Sequence, residues 1–233
     1  MKVRVLLISV VVSAWLYGSD SRPGADAIVE NYCAATRGQA GTFKGASMEV
    51  EIQGALPNLK KTGKLHALRR ISALGRITYQ ILGFEGDNTV KKEVIARYLA
   101  AEIESQKNQS PSNAVTPENY RFNYKGRTEL DGRDVHLFQV TPKKKRQGLF
   151  KGEVWIDAAT YLRVQESGYL VKTPSILLKR VAFTRKYEIR DGMSVPRHME
   201  SVVDTRLVGK AELTIDYSNF SIEEADPEEE GQR

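Results

Sequence analysis

Cys33 is the single cysteine in 233 residues. That excludes the intramolecular disulfide framework on which small secreted domains depend, and leaves Cys33 to be read as a small packing residue on a helix. There are three histidines, His66, His136 and His198, widely separated and each within a strand-like pattern. No H-E-x-x-H, C-x-x-C or similar ligand spacing occurs, so the common zinc sites are not encoded. The G-x-S-x-G nucleophile elbow of serine hydrolases is missing. Gly83-Phe84-Glu85-Gly86 lacks the Lys and Ser/Thr that complete a phosphate loop. Glu49 and Glu51 alternate onto one strand face, which reads as a solvated face and not as a hydrolytic pair. After Tyr17 no apolar run is long enough to cross about 30 Å of hydrocarbon. No cofactor, metal or catalytic constellation is expected, and the chain reads as a non-enzyme.

The first residues carry a different signal. Lys2 and Arg4 precede an uncharged apolar stretch from Val5 to Tyr17, followed by the small residues Gly18, Ser19 and Ser21. This is the layout of a secretory signal peptide, assigned to residues 1–22. At the other end, residues 223–233 include Glu223, Glu224, Asp226, Glu228, Glu229 and Glu230, and read as a disordered acidic tail. The formal charge of +6 is therefore carried by a folded body more basic than the total suggests. A basic body favours anionic partners. Export makes nucleic acid an implausible one and an anionic membrane surface a reasonable one.

Between these ends, residues 23–222 read as one domain. Ala25, Ile28, Val29, Tyr32 and Ala35 repeat at helical spacing up to Gly38. Met48, Val50 and Ile52 alternate with Glu49, Glu51 and Gln53, a half-buried strand. Two further strands are expected over 64–72 and 76–85. Val90 to Lys107 predicts an amphipathic helix whose stripe is Val94, Ile95, Tyr98, Leu99, Glu102 and Ile103, all apolar but Glu102. From Tyr120 onward the pattern alternates almost without interruption. Asp131-Gly132 and Asp191-Gly192 sit where tight hairpins need positive φ. Short connections imply antiparallel neighbours, so the fold class is mainly β within α+β.

Two stretches add a resemblance. Gly152-Glu153-Val154-Trp155-Ile156-Asp157-Ala158-Ala159-Thr160-Tyr161-Leu162-Arg163-Val164 resembles the strand, tight turn and strand of the outer-membrane lipoprotein-sorting (LolA/LolB-like) family. Tyr187-Glu188-Ile189-Arg190-Asp191-Gly192-Met193-Ser194-Val195-Pro196 is similar to a later hairpin of the same family. The resemblance implies a curved antiparallel sheet forming an incomplete β-barrel, with the N-terminal and mid-chain helices covering an apolar concave face. It implies a periplasmic carrier or binder of lipids or lipidated proteins, with acyl chains in the cavity. An envelope structural or assembly protein that binds another protein through the curved sheet is the alternative.

On that reading the cavity wall takes Val50 and Ile52 from the first strand, Tyr79 and Ile81 from the third, and Phe122 and Leu137 from the start of the meander. Val154, Ile156, Val164 and Phe183 continue it, and Ile28, Tyr32, Tyr98 and Leu99 face it from the helices. Lys143, Lys144, Lys145 and Arg146 lie between two strands, at an expected hairpin tip suited to docking on an anionic membrane.

Overall fold

The computed structural model describes residues 24–39, 45–72, 74–107, 113–206 and 209–222. The expected signal segment 1–22 and acidic tail 223–233 lie outside the described residues.

Helix α1, Ala25–Gln39, opens the described chain. Strands β1 (Ala46–Leu56), β2 (Lys61–Ile71) and β3 (Ile77–Gly86) follow as a meander. The mid-chain helix comes next: α2 (Asn88–Val90), a π-helical turn (Lys91–Ile95) and α3 (Ala96–Lys107). Asp87 caps its start by accepting from the Thr89 amide at 2.7 Å. A second meander completes the chain: β4 (Tyr120–Leu130), β5 (Arg133–Pro142), β6 (Phe150–Asp157), β7 (Arg163–Leu170), β8 (Leu178–Arg190), β9 (Met193–Thr205) and β10 (Lys210–Ile222).

All ten strands form one sheet in the order β3-β2-β1-β10-β9-β8-β7-β6-β5-β4, with every neighbouring pair antiparallel. The first and last strands meet in its interior, and β3 and β4 are the two edges. The sheet is not closed into a barrel. Flat, it would measure about 43 Å from edge to edge at about 4.8 Å per strand, whereas the mid-chain helix reaches about 30 Å. Right-handed twist and register shifts in β1, β2–β3, β4, β7 and β8–β9 curve it instead.

The local signals act as expected. Asp131 and Gly132 have φ of 49° and 77°, and Asp191 and Gly192 have 50° and 73°, the positive pair of a tight hairpin. At the turn after β6, Asp157 Oδ1 accepts from the amides of Ala159 and Thr160 and from the Thr160 hydroxyl. This is why the Trp-Ile-Asp-Ala-Ala-Thr stretch turns where it does.

Both helices lie on the concave face, each over its own apolar cluster. Ile28, Val29 and Tyr32 of α1 pack on Tyr120, Phe138, Val140, Phe150, Val154, Ile156 and Phe183. Val90 and Ile95 of the mid-chain helix pack on Met48, Val50, Ile52, Leu56, Leu65, Ala67, Met199, Leu213 and Ile215. No residue is common to the two clusters. Two glycines allow the close approaches. A Cβ on Gly54 would come 2.8 Å from Val90 Cγ1, so the bare strand lets the helix press onto β1. A Cβ on Gly152 would meet the Ser167 carbonyl oxygen at 1.9 Å, so β6 and β7 can cross this closely only without it.

Candidate functional site

The structure gathers most of the expected wall residues onto the concave face but divides them. Val50 and Ile52, with Tyr79, Tyr98 and Leu99 around them, belong to the cluster under the mid-chain helix. Val154, Ile156, Phe183, Ile28 and Tyr32, with Phe122 beside them, belong to the cluster under α1. In both, side chains from helix and sheet interdigitate, so each half of the concavity is filled by the protein itself.

Three expected wall residues lie elsewhere. Leu137 alternates with buried Phe138 and pairs with Trp155, which places it on the convex face, a correction to its expected role. Val164 is buried at the register shift of β7 but belongs to neither cluster. Ile81 pairs with inward-facing Ala67 yet is 48 % exposed, beyond the reach of the helix. The basic tip falls between β5 and β6 as expected. Lys143, Lys144 and Lys145 are exposed, whereas Arg146 is half-buried and donates to Asn119 Oδ1 at 2.8 Å. A cavity of about 270 Å³ lies here, lined by Glu118, Asn119, Lys143, Lys144, Arg146 and Leu149.

Between the two clusters runs a polar seam that sequence reading missed. Its centre is Glu166 of β7, whose side chain is 2 % accessible. Arg163 Nη1 donates to Glu166 Oε2 at 2.6 Å, and Arg185 Nη1 donates to Oε1 at 3.0 Å. The Tyr187 hydroxyl also donates to Oε1 at 3.0 Å. Arg163 stacks over the Tyr187 ring at 4.3 Å and Arg185 over the Phe183 ring at 4.6 Å. Burial by itself would raise the carboxyl's pKa, but the two guanidiniums outweigh it and hold Glu166 below its ordinary value. Burial would likewise favour loss of charge on Arg163 and Arg185, and Glu166 overrides it. The trio is thus ionised and carries one positive charge more than negative.

A second polar group flanks the first. Glu102, the one polar member of the α3 stripe, accepts from Arg69 Nη2 at 3.0 Å and from the Tyr79 hydroxyl. Arg69 Nε donates to the Tyr79 oxygen at 3.2 Å. The odd residue in the stripe therefore marks an ion pair tying the lid to β2 and β3. Burial pushes up the phenols of Tyr98, Tyr187 and Tyr217, so all three are neutral donors around the seam at physiological pH.

Accessibility separates the members of this seam. Arg185 has a side chain 43 % accessible, against 28 % for Arg163 and 2 % for Glu166. Water thus reaches the middle of the sheet between the two lids. A sequence signal existed for it. Arg185 stands between Phe183 and Tyr187 on an inward-facing row, and a cation in such a row is out of pattern. The neighbouring Lys186 pairs with His198 and faces outward.

The histidines lie apart from the seam. His66 approaches Glu51 at 3.4 Å, His136 meets the Tyr124 hydroxyl at 3.0 Å, and His198 joins Asp216 at 2.6 Å and Glu200 at 3.1 Å. Burial raises the pKa of the half-buried Cys33 thiol on α1, which disfavours its thiolate. Among the described residues no group of three or more His, Cys, Asp or Glu is arranged to hold a metal ion, and no helix is long and apolar enough to cross a membrane.

An open, curved antiparallel sheet with helical lids on its concave face defines the architecture. A family model described as "-like: Uncharacterized protein" matches residues 109–228, and the chain belongs to that family. No curated protein matches the chain. Among solved structures it is similar to a DUF1329 family protein from Desulfovibrio piger, at 14% identity and a TM-score of 0.46, over 86% of this chain and 95% of that one. It is similar to a putative outer membrane lipoprotein-sorting protein domain from Vibrio parahaemolyticus, at 14% identity and a TM-score of 0.41, over 87% and 94%. A LolA superfamily protein from Nitrosomonas europaea follows, at 10% identity and a TM-score of 0.38, over 89% and 97%.

Proposed function

We propose that this protein is an exported, non-catalytic carrier or binding protein for lipids or lipidated proteins, working in the periplasm of a two-membrane envelope. The observation that carries the reading is the seam: solvent reaches Arg185 on the concave floor between two separately seated lids. An acyl chain entering there meets apolar clusters on either side. A chain of ten methylenes contributes about 8 kcal/mol on burial, before the cost of ordering it. Because side chains fill both halves, binding requires a lid to lift. The π-helical turn Lys91–Ile95 supports this for the mid-chain helix, since it interrupts the regular hydrogen-bond ladder where the lid meets the sheet. The test is native mass spectrometry of protein purified from the cell envelope. The expected result is a co-purified lipid in near one-to-one ratio. Protein that emerges lipid-free, with a stoichiometric protein partner, would instead favour the assembly reading. The edge strand β3 fits that second reading, because it leaves Ile81 and Leu82 exposed at 48% and 58%.

The exposed Lys143, Lys144 and Lys145 would bring such a carrier to an acidic membrane. Each basic residue near headgroups is worth about 1 kcal/mol, so reversing all three to Glu weakens binding to phosphatidylglycerol vesicles at low salt by at least about 100-fold. Vesicle sedimentation measures it, and unchanged binding removes the docking role.

A further inference from the structure

We infer that the ligand of the concave face is an anionic amphiphile whose negatively charged head sits against Arg163 and Arg185. This rests on the carrier reading and narrows its substrate class.

Three observations support it independently of the apolar clusters. The first is charge. Among the described residues Glu166 is the carboxylate that both guanidiniums reach, so the floor keeps a surplus of one positive charge. A surplus cation that is only partly hydrated attracts an anion, and the Arg163 and Arg185 side chains are 28 % and 43 % accessible. The second is unused hydrogen-bonding capacity. A guanidinium has five N–H donors, and the structure gives Arg163 and Arg185 one bond each, to Glu166. Arg163 Nε is buried and has no partner among the described residues. Arg163 and Arg185 lie over the Tyr187 and Phe183 rings at 4.3 and 4.6 Å, so the rings hold the two groups without using their N–H donors. The third is access, since Arg185 is the most accessible member of the trio.

Position gives the head its tail. Phe183, beneath Arg185, belongs to the cluster under α1, whereas Met199, paired with Arg185 across β8 and β9, belongs to the cluster under the mid-chain helix. The cationic floor is therefore the border between two apolar surfaces. A free phosphate or carboxylate would use only the border; an amphiphile uses border and surface together. Glu166 has its own part. It holds both arginines in place through separate oxygens, and it excludes a doubly compensated, overly tight anion site by cancelling one charge in advance.

The experiment compares decyl phosphate with decyl glucoside, two ligands with one tail and different head charge, titrated calorimetrically into delipidated full-length protein below micelle concentrations. Decyl phosphate is expected to bind at least tenfold more tightly, as charge-assisted bonds to two arginines require. Arg185→Gln should bring the two affinities within about threefold by weakening decyl phosphate. Arg163→Gln serves as a second variant should that chain fold poorly, and the wild-type comparison needs no variant. Equal affinity for both compounds overturns this inference and leaves the carrier reading standing. Binding of neither overturns both. Inorganic phosphate competing at the same concentration as decyl phosphate also overturns it, because the site then holds a free ion.

Discussion

Glu166→Ala lowers folding stability by about 2–3 kcal/mol, the loss of charge-assisted hydrogen bonds tempered by the solvent that Arg163 and Arg185 keep. The carboxylate is nearly inaccessible and accepts from Arg163, Arg185 and Tyr187 at 2.6 to 3.0 Å. Its removal leaves two guanidiniums facing one another across the β7–β8 pairing. Chemical denaturation of wild type and variant measures the difference. The pH dependence has a defined sign. The arginines hold the folded-state pKa of Glu166 below its ordinary 4.5, so its contribution is full above that value and fades as pH falls through the lower, folded value. The gap between wild type and variant should therefore narrow on acidification, and a gap that stays constant from pH 7 down to pH 2 would contradict the ionised network. A triple replacement, Arg163→Met with Glu166→Leu and Arg185→Met, should recover most of the loss, since buried ion networks rarely outperform apolar packing. Stability is then a poor reason for the trio, and binding a better one.

Phe138→Ala costs about 3–5 kcal/mol for the truncation of a fully packed aromatic. Phe138 is 1% exposed, with the Phe122 and Tyr124 rings at 5.9 and 5.0 Å. Its loss opens a cavity in the cluster that seats α1. Because that cluster shares no residue with the one beneath the mid-chain helix, hydrogen exchange should quicken in α1 and in β4 to β6 while Ala96–Lys107 keeps its protection relative to the global stability. Equal loosening of α3 would mean that the lids open as one unit, which removes the basis for a seam between them.

Much of this architecture was legible in one dimension. The alternation Met48, Val50, Ile52 gave β1 its inward face, and the two Asp-Gly pairs set hairpins with the required positive φ. The stripe Val94, Ile95, Tyr98, Leu99 gave the mid-chain helix its buried side. These signals are local, because side-chain direction repeats every two residues in a strand and every 3.6 in a helix. The π-helical turn at Lys91–Ile95 was not legible, since its residues carry an ordinary helical pattern.

The candidate site was less visible. The apolar wall residues were identifiable as inward-facing, but their division into two filled halves was not. Nor was the convex placement of Leu137, because Leu137 and Phe138 are adjacent apolar residues and either could have been the inward one. Arg163 faces the seam because β7 shifts register against β6, and a one-residue shift moves a side chain to the other face. Glu166 meets Arg185 because β7 and β8 pair at that register.

By itself, then, the sequence determined the elements, their turns and the apolar side of each, because those follow from neighbours a few positions apart. Tertiary structure alone decided that β1 closes against β10, that the sheet stops short of a barrel, and that three charged residues from β7 and β8 converge on its floor. Those outcomes depend on which distant strands meet and in what register, and no short-range pattern encodes that.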